Sequence, residues 1–172
     1  MQRSTAGIAS AAFFVVAPGT VVGLVPWLIT RWEITGSGLP WRLLQAIGVV
    51  LIVAGLIPPV HAFVQFVKAG GTPMPIAPTQ RLVVTGFNRY VRNPMYLGLI
   101  VVMLGQALLF GSLALVGWAA AFWIITATFV RLYEEPTLVD EYDGEYEEYR
   151  RHVHAWLPRV HPWTPGVEHQ QA

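Results

Sequence analysis

Apolar and polar positions along this chain are gathered into long blocks. Four of these blocks reach or approach the roughly 18 apolar residues that a helix needs to cross a bilayer. They run from about Ala6 to Thr30, from about Leu43 to Val67, from Pro94 to about Phe110, and from about Leu113 to Val130. Gly111 and Ser112 alone separate the last two, which predicts a tight antiparallel hairpin. Pro18 and Pro26 in the first block and Pro58-Pro59 in the second are expected to kink their helices, because proline removes a backbone donor and crowds the preceding turn. Gln106, deep in the third block, calls for an interhelical hydrogen bond. The first block follows Arg3 and resembles a secretory leader, but its apolar core is too long and no small-residue cleavage site follows, so it reads as a retained span.

Beyond Val130 the pattern changes. Tyr142, Tyr146, Tyr149, Val153 and Trp156 recur at spacings of three and four, which places them on one helical face. Asp143, Glu147, Glu148, Arg150 and Arg151 fall mostly off that face. Such a helix is expected to rest on the membrane surface or on the cytoplasmic end of the bundle, with its rings at headgroup level. Pro158, Pro162 and Pro165 should stop it, and residues 166–172 read as a disordered tail. The predicted fold class is all-α, a polytopic membrane helical bundle of four or five transmembrane helices with a C-terminal juxtamembrane amphipathic helix. One domain covers 1–165, with N-terminal spans in 1–68 and a hairpin plus C-terminal helix in 80–158.

Composition sharpens this picture. Hydrophobic residues make up 54% of the 172 and charged residues only 12%, about half the charged share of a soluble protein. Mean hydropathy is +0.49. A net charge of +1 gives no general attraction to nucleic acid, and the absence of cysteine excludes disulfides, thiol nucleophiles and thiolate metal sites. Basic residues collect after the second block (Lys68, Arg81, Arg89, Arg92) and after the fourth (Arg131, Arg150, Arg151, Arg159), so both termini are expected in the cytosol. Gly19 and Gly23 form a small-xxx-small pair, read as intramolecular packing or, more sharply, as a homodimer seam. His152 and His154 point to different helix faces, and no zinc spacing, phosphate loop or nucleophile elbow is present, so no metal is expected.

The candidate chemistry lies in RYVRNPMYLG, residues 89–98. Asn93-Pro94 suits a helix start, and the plainest role for Arg89 and Arg92 is to anchor that helix at the interface. The hairpin, however, returns Arg131, Glu134 and Glu135 to the same end, near Arg92 and Tyr96. Charges at that depth face one another or a cavity. An ion pair between Arg92 and Glu135 is one outcome. The other is a pocket: free helix amides and an arginine for a carboxylate, a glutamate for a cation, and a tyrosine ring for a flat base. A zwitterion with a cationic centre and an aromatic base, S-adenosylmethionine, is complementary to that set.

The order LVVTGFNRYVRNPMYLG, an apolar hairpin, then RLYEEPTL, DGEYEEYRRHV and a terminal LP resembles the isoprenylcysteine carboxyl methyltransferases and the wider group that includes integral-membrane phospholipid methyltransferases. The resemblance covers roughly Gln80 to Pro158. It implies S-adenosyl-L-methionine as cofactor, held by Asn93, Pro94 and Met95 with Tyr96 as the motif tyrosine, by the lead-in Gln80, Arg81, Leu82 and Val83 with Asn88, and by Glu135. It implies Arg92 as the motif arginine and Arg131 as the arginine that meets the acceptor, and these two are the candidate catalytic residues. The family usually has histidine in place of Asn93 and an aromatic residue in place of Asn88. Both departures weigh against a prenyl-cysteine acceptor and leave cofactor binding in place.

The function so implied is methyl transfer to a lipophilic acceptor: an isoprenylcysteine-like carboxylate, a lipid, a lipidated peptide or a small amphiphile. A carboxylate acceptor needs no base, whereas an amine or thiol needs one, with Glu135 or Glu134 nearest. His61 and Gln65, near the cytoplasmic end of the second block, either pack or line the acceptor path. The stiff Pro73–Pro78 stretch could lid the cofactor. Two other readings compete: a membrane NADPH-dependent reductase of sterol-reductase type, whose helix start has a similar arginine and tyrosine, and a non-catalytic membrane scaffold whose charges only anchor helices.

Overall fold

The computed structural model describes residues 16–36, 38–68, 82 and 84–164. The beginning of the first predicted span, Gln80, Arg81, Val83, the Pro73–Pro78 loop and the 166–172 tail lie outside the described residues. Within them the chain is helical and contains no strand. Helix α1 is Val16–Thr30, α2 is Leu39–Lys68, α3 is Pro94–Phe110, α4 is Leu113–Phe129 and α5 is Glu135–His152. A 3-10 turn at Gly86–Arg89 precedes α3, and a π turn at Val130–Glu134 joins α4 to α5.

Two helices are long and apolar enough to cross a membrane. One is Leu39–Val64, with mean hydropathy 2.3, and the other opens at Leu113, with mean hydropathy 2.0. The most apolar windows of these helices are only 11% and 22% buried, unlike the core helices of a soluble protein, so their apolar surface faces outward. With the shorter apolar α1 and α3 they form an all-α membrane bundle. The hairpin matches its sequence pattern. α3 ends at Phe110, Gly111 takes φ 67, a conformation that costs glycine little, and α4 starts at Leu113.

The chain divides into two compact units, one built around α1, α2 and the hairpin from Met95 to Ile125, the other around residues 82–94 and 126–164. In the first unit, α2 and α3 touch at two glycine pairs. A Cβ on Gly48 would lie 2.6 Å from Gly105 O, and one on Gly98 would lie 2.5 Å from Gly55 O. Only glycine permits this approach, which brings Cα hydrogens to backbone carbonyls. Gly55 O is the carbonyl that an α-helix would pair with the N–H of residue 59, and Pro59 has none. Gly19 and Gly23 differ: a Cβ on either meets nothing within 4 Å, so that pair makes no close helix contact among the described residues.

α1 shows how proline reshapes a span. Val25 N–H bonds Thr20 O in a π turn, and Pro26 has no N–H, so the carbonyls of Val21 and Val22 lose their α-helical partners. Trp118 Nε1 donates to Val21 O at 3.0 Å, and Gln106 Nε2 donates to Val22 O at 2.7 Å. Gln106 thus makes the expected interhelical bond. α2 continues as helix through Pro58 and Pro59.

In the second unit the aromatic stripe of α5 does not face lipid. Tyr146, Tyr149 and Val153 are buried in a small core closed by Trp163, with Leu82, Val84, Leu138 and Tyr142 packed against it. α5 is interrupted at Asp143, where φ is 43 and ψ is −124. It ends at His152, before any of the prolines expected to stop it, and the following segment folds back onto the stripe.

Candidate functional site

The RYVRN segment owes its shape to that returning segment. Arg92 N–H bonds His154 O at 3.0 Å and Asn93 N–H bonds Ala155 O at 3.3 Å, while Arg159 N–H bonds Tyr90 O at 2.8 Å and Trp163 N–H bonds Arg89 O at 2.9 Å. Side chains reinforce the strap. Arg89 Nε donates to Trp163 O at 2.8 Å and its Nη2 to Thr164 Oγ1. Asn93 Nδ2 donates to Ala155 O at 3.2 Å, and Arg159 Nη1 donates to His152 O at 2.8 Å. The Arg89 side chain is therefore engaged with a protein carbonyl and a hydroxyl rather than standing as a lipid anchor. Asn93, 7% exposed, is fixed by two bonds to one carbonyl.

Arg92 points across to the start of α5. Its Nη1 lies 2.6 Å from Glu135 Oε1, and the two side chains are 11% and 15% exposed. Glu135 Oε2 also lies 4.0 Å from Arg150 Nη1. The same Arg92 Nη1 donates to Tyr146 Oη at 3.4 Å. Arg92 Nε is buried without an acceptor among the described residues. A guanidinium N–H buried and unmatched is costly, and such a group in a native fold marks a place for a further partner.

Beside this pair is a cavity of about 210 Å³, bounded by Leu82, Val84, Asn88, Arg92 and Asn93 on one side and by Val130, Glu134, Leu138, Tyr146 and Tyr149 on the other. Tyr149 Oη donates to Asn88 O at 2.7 Å, and Leu82 N–H donates to Glu145 Oε2 at 2.7 Å, so both walls are tied in place. Burial raises the carboxyl pKa of Glu134 above its ordinary value, and neighbouring Glu135 raises it further. Burial also raises the Tyr146 phenol, against the opposing pull of Arg92, and pushes up that of Tyr149, where Tyr146 adds to the effect.

The sequence-predicted residues are distributed unevenly about this centre. Leu82, Asn88, Arg92 and Asn93 line the cavity, and Glu135 stands on Arg92. Arg131 is exposed on the π turn and is not among the lining residues. Pro94 opens α3. In the first unit, Tyr96 sets its ring edge-on against Phe122 at 6.4 Å, and His61 is an exposed residue of α2. Met95 lines a second, apolar cavity of about 210 Å³ with Pro18, Val22, Leu56, Phe63 and Leu99. Sequence reasoning placed Tyr146 and Tyr149 on the correct face but gave them no part in a site. The three-residue spacing that pairs them was visible, whereas the residues that would meet them were not.

Electrostatically, the polar cavity holds a guanidinium with an unmatched N–H and a half-buried carboxyl, Glu134, that makes no ion pair among the described residues. A ligand carrying both an anionic and a cationic group complements these walls. Among the described residues no cluster of His, Asp or Glu could hold a metal ion. The family model for phospholipid methyltransferases matches residues 43–145, more than half of the chain. No curated protein and no solved structure matches the chain. The matched stretch contains α3, α4, the RYVRN segment and the Glu134-Glu135 pair, and on that match this membrane protein belongs to the phospholipid methyltransferase family.

Proposed function

We propose that this protein is an S-adenosylmethionine-dependent methyltransferase that acts on a lipophilic acceptor drawn from the membrane, with its cofactor cavity on the cytosolic side of a multi-pass bundle. The observation that carries the reading is the unmatched, buried Nε of Arg92, a residue that lines the same cavity as the half-buried Glu134. The residues fit the cofactor's amino-acid end: Arg92 complements its carboxylate and Glu134 its cationic groups. When bound, the cofactor supplies an electrophilic methyl group on a sulfonium.

Glu135 acts through Arg92. With one oxygen 2.6 Å from Nη1, it fixes the guanidinium and balances its charge. Asn93, held by Ala155, fixes the backbone just before Pro94. An acceptor that arrives as a carboxylate needs no base. For one that arrives as an ammonium, Glu134, its pKa raised by burial and by Glu135, is a proton acceptor on the cavity wall. The concentration of arginine after the second and fourth apolar blocks supports the cytosolic placement.

Equilibrium binding to the full chain in lipid nanodiscs tests the reading. S-adenosylmethionine should bind, and Arg92→Ala should abolish binding. A wild-type protein that binds NADPH but no adenosyl-sulfur ligand would replace this reading with the reductase one.

A further inference from the structure

The hydroxyl of Tyr146 accepts from Arg92, but its proton has no part in that contact. The residue is 3% exposed and lines the polar cavity. Its Oη accepts from Arg92 Nη1 at 3.4 Å, which leaves its own proton to donate, and that hydroxyl donates no hydrogen bond among the described residues. Arg92 Nε, also buried, has no acceptor either. Two neighbouring residues of one cavity thus present donors to it: an Arg92 N–H with no acceptor and a Tyr146 O–H that donates no bond among the described residues. Tyr149, three residues on, provides the contrast: its Oη donates to Asn88 O at 2.7 Å, and its hydroxyl is committed to the fold.

The charged groups around Tyr146 limit what can answer both donors. Glu135 already faces Arg92 and Arg150, and Glu134 lies on the same cavity wall as an acceptor without a proton to offer when ionised. What is missing is an acceptor with two oxygens next to a guanidinium. A carboxylate supplies one oxygen to each donor, and charge-assisted bonds of this kind are the strong ones.

We propose that Tyr146 is a cofactor-binding residue, its hydroxyl and Arg92 Nε together taking the carboxylate at the amino-acid end of the adenosyl cofactor. The assignment rests on the methyltransferase reading and adds to it a residue that no helix-start motif contains. Tyr146 also bears on selectivity, because an adenosyl ligand without the amino-acid end offers it nothing to bind.

Calorimetry on the full chain in nanodiscs, with S-adenosylhomocysteine and with 5′-methylthioadenosine, which lacks the amino-acid end, tests this. Tyr146→Phe should weaken S-adenosylhomocysteine about tenfold or more and leave methylthioadenosine within about twofold of wild type. Arg92→Lys, which keeps the charge and removes Nε, should show the same selectivity. Tyr149→Phe should lower the thermal midpoint and shift both ligands equally. If Tyr146→Phe binds both ligands as wild type does, or loses both equally, the inference is overturned and the methyltransferase reading stands. If the wild type binds neither ligand, the methyltransferase reading falls and takes the inference with it.

Discussion

Arg92 Nη1 stands 2.6 Å from Glu135 Oε1, with both side chains largely withdrawn from solvent. Removing one partner leaves the other as an uncompensated, poorly hydrated charge, which costs about 3–5 kcal/mol. Glu135→Gln should therefore lower thermal stability markedly. The double variant Arg92→Met/Glu135→Leu should recover much of that loss while remaining unable to bind cofactor. Thermal melts of the three proteins, read beside cofactor titrations, check both statements. A double variant as unstable as the single one would mean that the pair contributes through packing instead of charge.

Glu134 should impose a pH dependence of known sign. Its folded pKa is raised, first by burial and then by Glu135, so the folded state holds a proton that the unfolded state releases. The stability it contributes is fully present below the unfolded carboxylate pKa and declines as pH rises through the folded value. The stability of wild type relative to Glu134→Gln should fall across that window, while affinity for a cationic ligand rises in wild type and stays flat in the variant. Chemical denaturation and ligand titration at stepped pH provide the readings.

The glycine seam of the first unit makes a prediction remote from the cavity. A Cβ on Gly98 would meet Gly55 O at 2.5 Å and Pro59 Cδ at 2.8 Å, and these backbone and ring atoms cannot swing aside. Gly98→Val should force α2 and α3 apart and destabilise the unit by about 1–3 kcal/mol. Gly19→Ala, with nothing within 4 Å, should be nearly neutral. Resistance to denaturation in detergent distinguishes the two.

Gln106→Leu should cost about 1–3 kcal/mol, because Val22 O, already without a donor from Pro26, would lose the 2.7 Å bond from Gln106 Nε2. Gln106→Glu offers a more pointed variant. Only its protonated form can donate to that carbonyl, so its stability should improve as pH falls.

The hairpin was legible because its signals are local: an apolar block, a proline at the first helical position, and a Gly-Ser turn. The meeting of Arg92 with Glu135 followed from the shortness of that turn. The glycine seam was not legible. Gly48 and Gly55 face Gly105 and Gly98 only when two faces are opposed, and the nearer spacing of Gly19 and Gly23 drew attention to a pair that contacts nothing close. The difference between Glu134 and Glu135 was hidden for another reason. The π turn at Val130–Glu134 inserts a residue where the pair begins, and one residue rotates a helical position by about 100°. Which of two adjacent glutamates meets Arg92 and which meets the cavity is therefore set by backbone bonding that no side-chain pattern announces. The aromatic stripe was read correctly as a face, but its cover, Trp163, comes from a segment with no periodicity of its own.

The strap that grips residues 89–93 is the last described part of the chain to leave the ribosome. Until residues 154–163 emerge, the amides of Arg92, Asn93 and the carbonyls of Arg89 and Tyr90 have no mates. The helices can enter the bilayer one by one during synthesis, yet the polar chamber can close only after residues 154–163 have emerged. Nascent chains halted short of that point should be inserted and inert, so a growing polypeptide draws no ligand before its scaffold is finished.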